Sequence, residues 1–165
     1  INLDTLGKFD VVHSNQTFEH LLEPLKVLKI IKKILKPNGL IFLSVANDFN
    51  PIQIILREKM GYPDWWFIPP EHINYFNPKS ISKLVEGVNF EILDLNTSFP
   101  IDLFLLMGDN YIEKSSIGKE AHLRRKNLEF ALNNTNNNDF KNQLYKAFTK
   151  INIGREVELL ARLNE

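Results

Sequence analysis

The chain has 165 residues, 44% apolar and 24% charged, and its 20 basic side chains cancel its 20 acidic ones. This length supports one domain with its own core, and a net charge of zero argues against a general nucleic-acid or acidic-membrane binder. The absence of cysteine excludes disulfides, thiolate zinc sites and a cysteine nucleophile, and no apolar run reaches the about 18 residues of a membrane span.

In chain order, Phe9 to Ser14 reads as a short strand, apolar and β-branched at its centre. Leu21, Leu25, Leu28, Ile31 and Leu35 then recur at helical spacing, with Pro24 suited to a first turn and lysines on the remaining positions. Pro37-Asn38-Gly39 is expected to stop that helix. Leu40 to Val45 is a nearly continuous apolar run, the pattern of a parallel strand covered on both faces. Strand, helix and buried strand make a βαβ unit. A short helix is expected over 51–60, followed by a loop over 61–70 that carries Trp65, Trp66 and Phe67. Asn77 is a plausible N-cap before Pro78, with a helix to Val85 or Glu86 that Gly87 ends. Phe90 to Leu95 reads as a strand, Ile101 to Asn133 as mostly helical with breaks near Gly108 and Gly118, Phe140 to Thr149 as a helix, and Val157 to Leu163 as a last strand. The Asn-rich run over 133–138 reads as a flexible polar loop. With no internal repeat, residues 1–165 read as one α/β domain with a helical insertion at about 101–150.

Four stretches, KFDVVHSNQTFEHLLEP, ILKPNGLIFLSVAN, PPEHINYFNPKSISKLVEGVNFEIL and GREVELLAR, resemble the class I S-adenosylmethionine-dependent methyltransferases. More closely, they are similar to the branch that modifies sugars, polyketides and small metabolites. The resemblance implies a Rossmann-like, doubly wound sheet of which this chain supplies strands four to seven. It also implies that the glycine-rich turn and the acidic residue that grip the cofactor lie outside the chain. No two glycines here are close enough to form G-x-G, and the chain begins at Ile1 rather than at a methionine. The expectation is therefore a C-terminal part of the domain that binds S-adenosylmethionine poorly by itself.

By the same resemblance, His13, Ser14, Asn15 and Gln16 leave the first strand where the cofactor is touched; the alternative is a loop that merely caps the next helix. Some relatives with a Glu-His at the position of Glu19-His20 hold a divalent metal with a carboxylate three residues earlier. Here that position is Gln16, a poor ligand for a hard cation, so no metal is expected, and His20 is read as touching the acceptor or packing at the helix start. In similar enzymes the Glu-His matching Glu71-His72 sits over the acceptor. Histidine titrates near neutrality, and a carboxylate raises its basicity and fixes its tautomer, so His72 and Glu71 are the catalytic candidates. The alternative for His72 is a loop anchor, with Tyr75 and Phe76 in the core. Trp65, Trp66 and Tyr75 read either as an acceptor wall or as a hydrophobic plug. Arg124 and Arg125 read as contacts for a phosphate or carboxylate on the acceptor, or as a solvated face. Arg155 and Glu156 read as structural.

The implied function is methyl transfer from S-adenosylmethionine to a small-molecule acceptor, oxygen first, in the cytoplasm, with no nucleic-acid or membrane partner. Two alternatives stand beside it: a non-catalytic methyltransferase-like binding or assembly module, and another Rossmann-type enzyme such as a nucleotide-sugar dehydrogenase. The outer edge of the first strand should be unpaired, which invites a homodimer through that edge.

Overall fold

The computed structural model describes residues 7–134 and 138–164; the centre of the Asn-rich run lies outside the described residues. Four strands form one sheet in the order β1-β2-β4-β3. β1 (Phe9–Asn15) runs parallel to β2 (Leu35–Ala46), whereas β4 (Glu156–Leu163) is antiparallel to both β2 and β3 (Phe90–Thr97). Helix α1 (Pro24–Ile34) makes the crossover between the parallel strands, and α3 (Pro78–Glu86) precedes β3.

The apolar spacing read from the sequence is the spacing that packs. Leu28 and Ile31 of α1, and Ile81 and Val85 of α3, bury against Ile41, Leu43 and Val45 of β2 and against Val157, Leu159 and Ala161 of β4. These strand residues alternate, so they share one sheet face. Local chemistry fixes the helix ends. Pro24 opens α1, and Asn77 caps α3 by accepting from the Ser80 amide at 2.9 Å while the Ser80 hydroxyl accepts from the Asn77 amide. Asn50 does the same for α2 (Pro51–Met60) with Gln53.

Three expectations need correction. First, α1 ends at Ile34, and Leu35 already belongs to β2. Pro37-Asn38-Gly39 forms an irregularity inside the strand, where the pairing steps from Phe9–Leu35 to Val11–Leu40; Asn38 takes the left-handed conformation, with φ 60°. Second, Gly118 lies within α5 (Ser115–Asn133), and the break falls only around Gly108, after the short α4 (Leu103–Leu106). A glycine inside a helix costs less than about 1 kcal/mol relative to alanine, which neighbouring turns outweigh. Third, β2 is covered on both faces only in its carboxyl half: Ser44 and Ala46 are buried, whereas Leu40 and Phe42 stay half-buried. The helices on that second face, α5 and α6 (Asn138–Lys150), pack chiefly on the β3 side, where Lys146 pairs with Asp94 and donates to the Leu95 carbonyl.

Candidate functional site

The parallel pair β1 and β2 ends its carboxyl termini at one rim, and two polar turns leave from there. After β1, Gln16 takes the left-handed region (φ 46°) and donates its amide to the Ser44 carbonyl at 2.9 Å. A 3-10 turn, Phe18–His20, follows. After β2, Asn47 donates its amide to the Arg155 carbonyl and its side chain to the Gly154 carbonyl, and Asn50 donates back to the Asn47 carbonyl. Asp48 is thereby held at the rim.

The loop over 61–77 then folds back onto both turns. The amides of Ile73 and Asn74 donate to the Glu19 carbonyl at 2.9 and 3.0 Å, and the Asn74 side chain donates to the carbonyls of Phe18 and Leu21. The Asp48 amide donates to the Phe76 carbonyl. These bonds place His72 between the two turns. Its Nδ1 lies 3.7 Å from Asp48 Oδ2, and its ring meets that of His20 edge to face at 4.9 Å. His20 Nδ1 donates to the Glu71 carbonyl at 2.7 Å.

The electrostatics of this group are unusual for a surface loop. Glu19 is 1% exposed with both carboxylate oxygens unpartnered, and Asp48 is 3% exposed with Oδ2 unpartnered. Burial is the main cause that pushes the Asp48 carboxyl up to about 6; the Arg155 charge opposes it, and Glu19 and Asp102 add to it. Burial lowers the pKa of His72, with Glu19 opposing. His72 is therefore neutral at neutral pH, with an unpartnered Nδ1. Buried, uncompensated titratable groups of this kind cluster at functional sites. Glu19, His20 and His72 also bring one donor atom each within 4.8 Å of one another, a carboxylate and two imidazoles of the kind that bind divalent zinc.

The structure brings together only some of the residues read from the sequence. His13 and Asn15 are exposed, Ser14 and Gln16 half-buried, all at the β1 end; the His13 ring lies 5.3 Å from that of Phe42. The Glu71 side chain is exposed, and the carboxylates that face His72 are Asp48 and Glu19 instead. Tyr75 donates its hydroxyl to the His72 carbonyl at 3.1 Å and packs on Phe49 and Phe67. Trp66 is 2% exposed, edge to face with Trp65 at 4.6 Å, and Trp65 packs on the cluster of Ile52, Leu56 and Leu105. Arg124 is tied to Asp109 at 2.7 Å and lies over the Phe104 ring. Asp48 was missed in the sequence; its one signal is the polar run Asn47-Asp48 directly after a buried strand.

A family model described as a methyltransferase domain matches residues 3–95. That is more than half of the chain, and the chain belongs to this family. It is similar to the ubiquinone biosynthesis O-methyltransferase of Haemophilus ducreyi, with 48% identity over 40 residues, covering 24% of this chain and 17% of that protein. It is also similar to the protein of the same name from Caulobacter vibrioides, with 28% identity over 85 residues, covering 49% and 33%. The chain thus spans a third or less of the length of these curated relatives. Among solved structures, a SAM dependent methyltransferase from Archaeoglobus fulgidus superposes with a TM-score of 0.54 at 16% identity, covering 97% of this chain and 62% of that one. This likeness shows the Rossmann-like fold. No described helix is long and apolar enough to cross a membrane.

Proposed function

We propose that this chain is the acceptor-facing part of an S-adenosylmethionine-dependent methyltransferase that methylates a small molecule, on oxygen first. The observation that carries this reading is the placement of His72 at the carboxyl rim of the parallel strands, neutral and facing the buried Asp48 and Glu19. Ligands of open α/β sheets sit at that rim. The names of the two curated relatives support an oxygen acceptor.

S-adenosylmethionine supplies a methyl group from a sulfonium. The exposed His13 and Asn15 at the end of β1 leave polar groups open to the part of it that the family resemblance assigns to this turn, while the half-buried Gln16 reaches the Ser44 hydroxyl. The work of the remaining residues is positional and protonic. His72, with a free ring nitrogen, takes the proton of an acceptor hydroxyl as the oxygen becomes a nucleophile. Asp48 and Glu19 stabilise the imidazolium that results, which is worth more in a buried site than in water. The Asn74 bonds and the Tyr75 hydroxyl fix the loop so that this geometry need not be assembled at each turnover.

The test is transfer of labelled methyl from S-adenosylmethionine to a panel of small hydroxyl and amine acceptors by the protein that carries this chain. Transfer supports the reading. Absence of both transfer and donor binding by calorimetry would favour the non-catalytic module. A second reading is favoured by the unpartnered Glu19 carboxylate: a divalent cation on Glu19, His20 and His72 that orients the acceptor oxygen. Loss of activity in chelator, restored by zinc or magnesium, would select it over His72 as base.

A further inference from the structure

A second feature lies on the far side of Arg155. Between the sheet and the α5–α6 helices is a cavity of about 570 Å³, lined by Phe99 and Tyr145, by Asn96 and by the charged side chains of Arg155, Glu156 and Glu158 among others. Its volume is that of a small-molecule site. It belongs to the same rim as His72. Glu158 and Glu156 pair across from Ser44 and Ala46 at the end of β2. The Ser44 hydroxyl donates to Glu156 at 3.3 Å, and Gln16 of the β1 turn reaches that hydroxyl at 3.5 Å.

The lining is unbalanced in two directions at once. Arg155 Nη1 is buried with no hydrogen-bond partner, and the side chain forms no ion pair among the described residues. One nitrogen of this half-buried guanidinium thus lacks an acceptor, which costs free energy, and it offers a donor to an incoming oxygen. Asn96 Oδ1 is likewise buried and unpartnered and asks for a donor. Burial, together with the neighbouring carboxylates of Glu156, Glu129 and Asp94, pushes the Glu158 carboxyl up, and Lys141 of the same wall opposes this in part. The other acid of the wall is already engaged: Glu129 accepts from Tyr145 at 2.7 Å and pairs with Arg125 at 2.8 Å.

We propose that this cavity holds the charged part of the acceptor and takes a small zwitterion, whose carboxylate is held by Arg155 and whose ammonium is held by Glu156 and Glu158, with Phe99 and Tyr145 against its apolar body; His72 is not among the lining residues, so the reacting hydroxyl extends past Arg155 to reach it. The name "acceptor" rests on the methyltransferase reading; the binding does not, and it is measured without methyl donor.

Calorimetric titration of the protein compares 4-(aminomethyl)benzoate with benzoate and with benzylamine, which keep one charge each. The zwitterion binds at least ~10-fold more tightly than either, because each single-charge probe forgoes one charge-assisted hydrogen bond. Arg155→Met lowers zwitterion affinity to that of benzylamine, and Glu158→Gln lowers it to that of benzoate. Equal binding of the three probes overturns the proposal, as does undiminished zwitterion binding by a folded Arg155→Met protein. If Arg155→Met does not fold by circular dichroism, Glu158→Gln decides by the same criterion. Zwitterion binding without methyl transfer to any acceptor would sink the methyltransferase reading alone. Methyl transfer with Arg155→Met as active as the parent would sink this one alone.

Discussion

Replacing Asp48 by Asn tests whether a buried charge is maintained at the rim at a cost to stability. The Asp48 carboxyl titrates at about 6 in the folded protein against an ordinary value of 3.8. Below about pH 3 the group is largely protonated in both the folded and unfolded states and contributes almost nothing. As the pH rises to about 6, the unfolded chain releases the proton that the folded one still holds, so stability falls across that window and stays reduced above it. The displacement corresponds to roughly 3 kcal/mol. Asn keeps the shape, removes the charge and places an N–H toward the free Nδ1 of His72. Asp48→Asn should therefore stabilise the fold by up to about 3 kcal/mol at pH 7.5 and leave it nearly unchanged at about pH 2.5. Urea unfolding midpoints across that range read the difference. A variant less stable than the parent at pH 7.5, or a gain that does not vanish in acid, would refute the reasoning.

Gly154 has φ 134°, and an added Cβ would stand 2.5 Å from Thr97 Cβ and 2.6 Å from the Ser98 carbonyl; Gly154→Ala should cost about 3 kcal/mol in chemical denaturation through strain and overpacking. Leu28 is fully buried between α1 and the sheet, so Leu28→Ala should cost about 2–5 kcal/mol by the same assay. Asn74→Leu removes both side-chain bonds that tie the His72 loop to the 3-10 turn; hydrogen exchange at Ile73 and Asn74 should accelerate while the β2 and β4 amides keep their protection. Among the described residues β1 pairs on one side only and leaves Phe9 and Val11 at 40% and 53% exposure, so light scattering should give a mass above the 19.2 kDa of one chain; a monodisperse monomer would contradict pairing through this edge.

The regular elements were readable because their apolar residues recur at the period of the element they form. The spacing of Leu28 and Ile31, the Asn77-Pro78 start and the strands read at 90–95 and 157–163, which lie within β3 and β4, all rest on local pattern. What failed locally was punctuation: Pro37-Asn38-Gly39 interrupts a strand rather than ending a helix, because tertiary pairing with β1 outweighs the turn signal. The site was legible only in part. The Glu-His pair drew attention to His72, but the exposed Glu71 acts on it less than the buried Glu19 does. Asp48 and Glu19 reach it across 24 and 53 positions, through turns whose hydrogen bonds no spacing rule announces. Arg155, read as structural, is pinned by its backbone to Asn47, and that bond brings its charge close enough to act on both Asp48 and His72.

The central claim is that His72 accepts a proton at this rim, and a pH–rate profile of the protein carrying this chain tests it most directly. With the parent, kcat/KM should rise along a limb whose midpoint lies below the ordinary histidine value, because burial favours the neutral ring. His72→Gln should abolish that limb and lower kcat/KM by about 10²-fold or more. An unchanged limb and rate in His72→Gln would remove this residue from the chemistry.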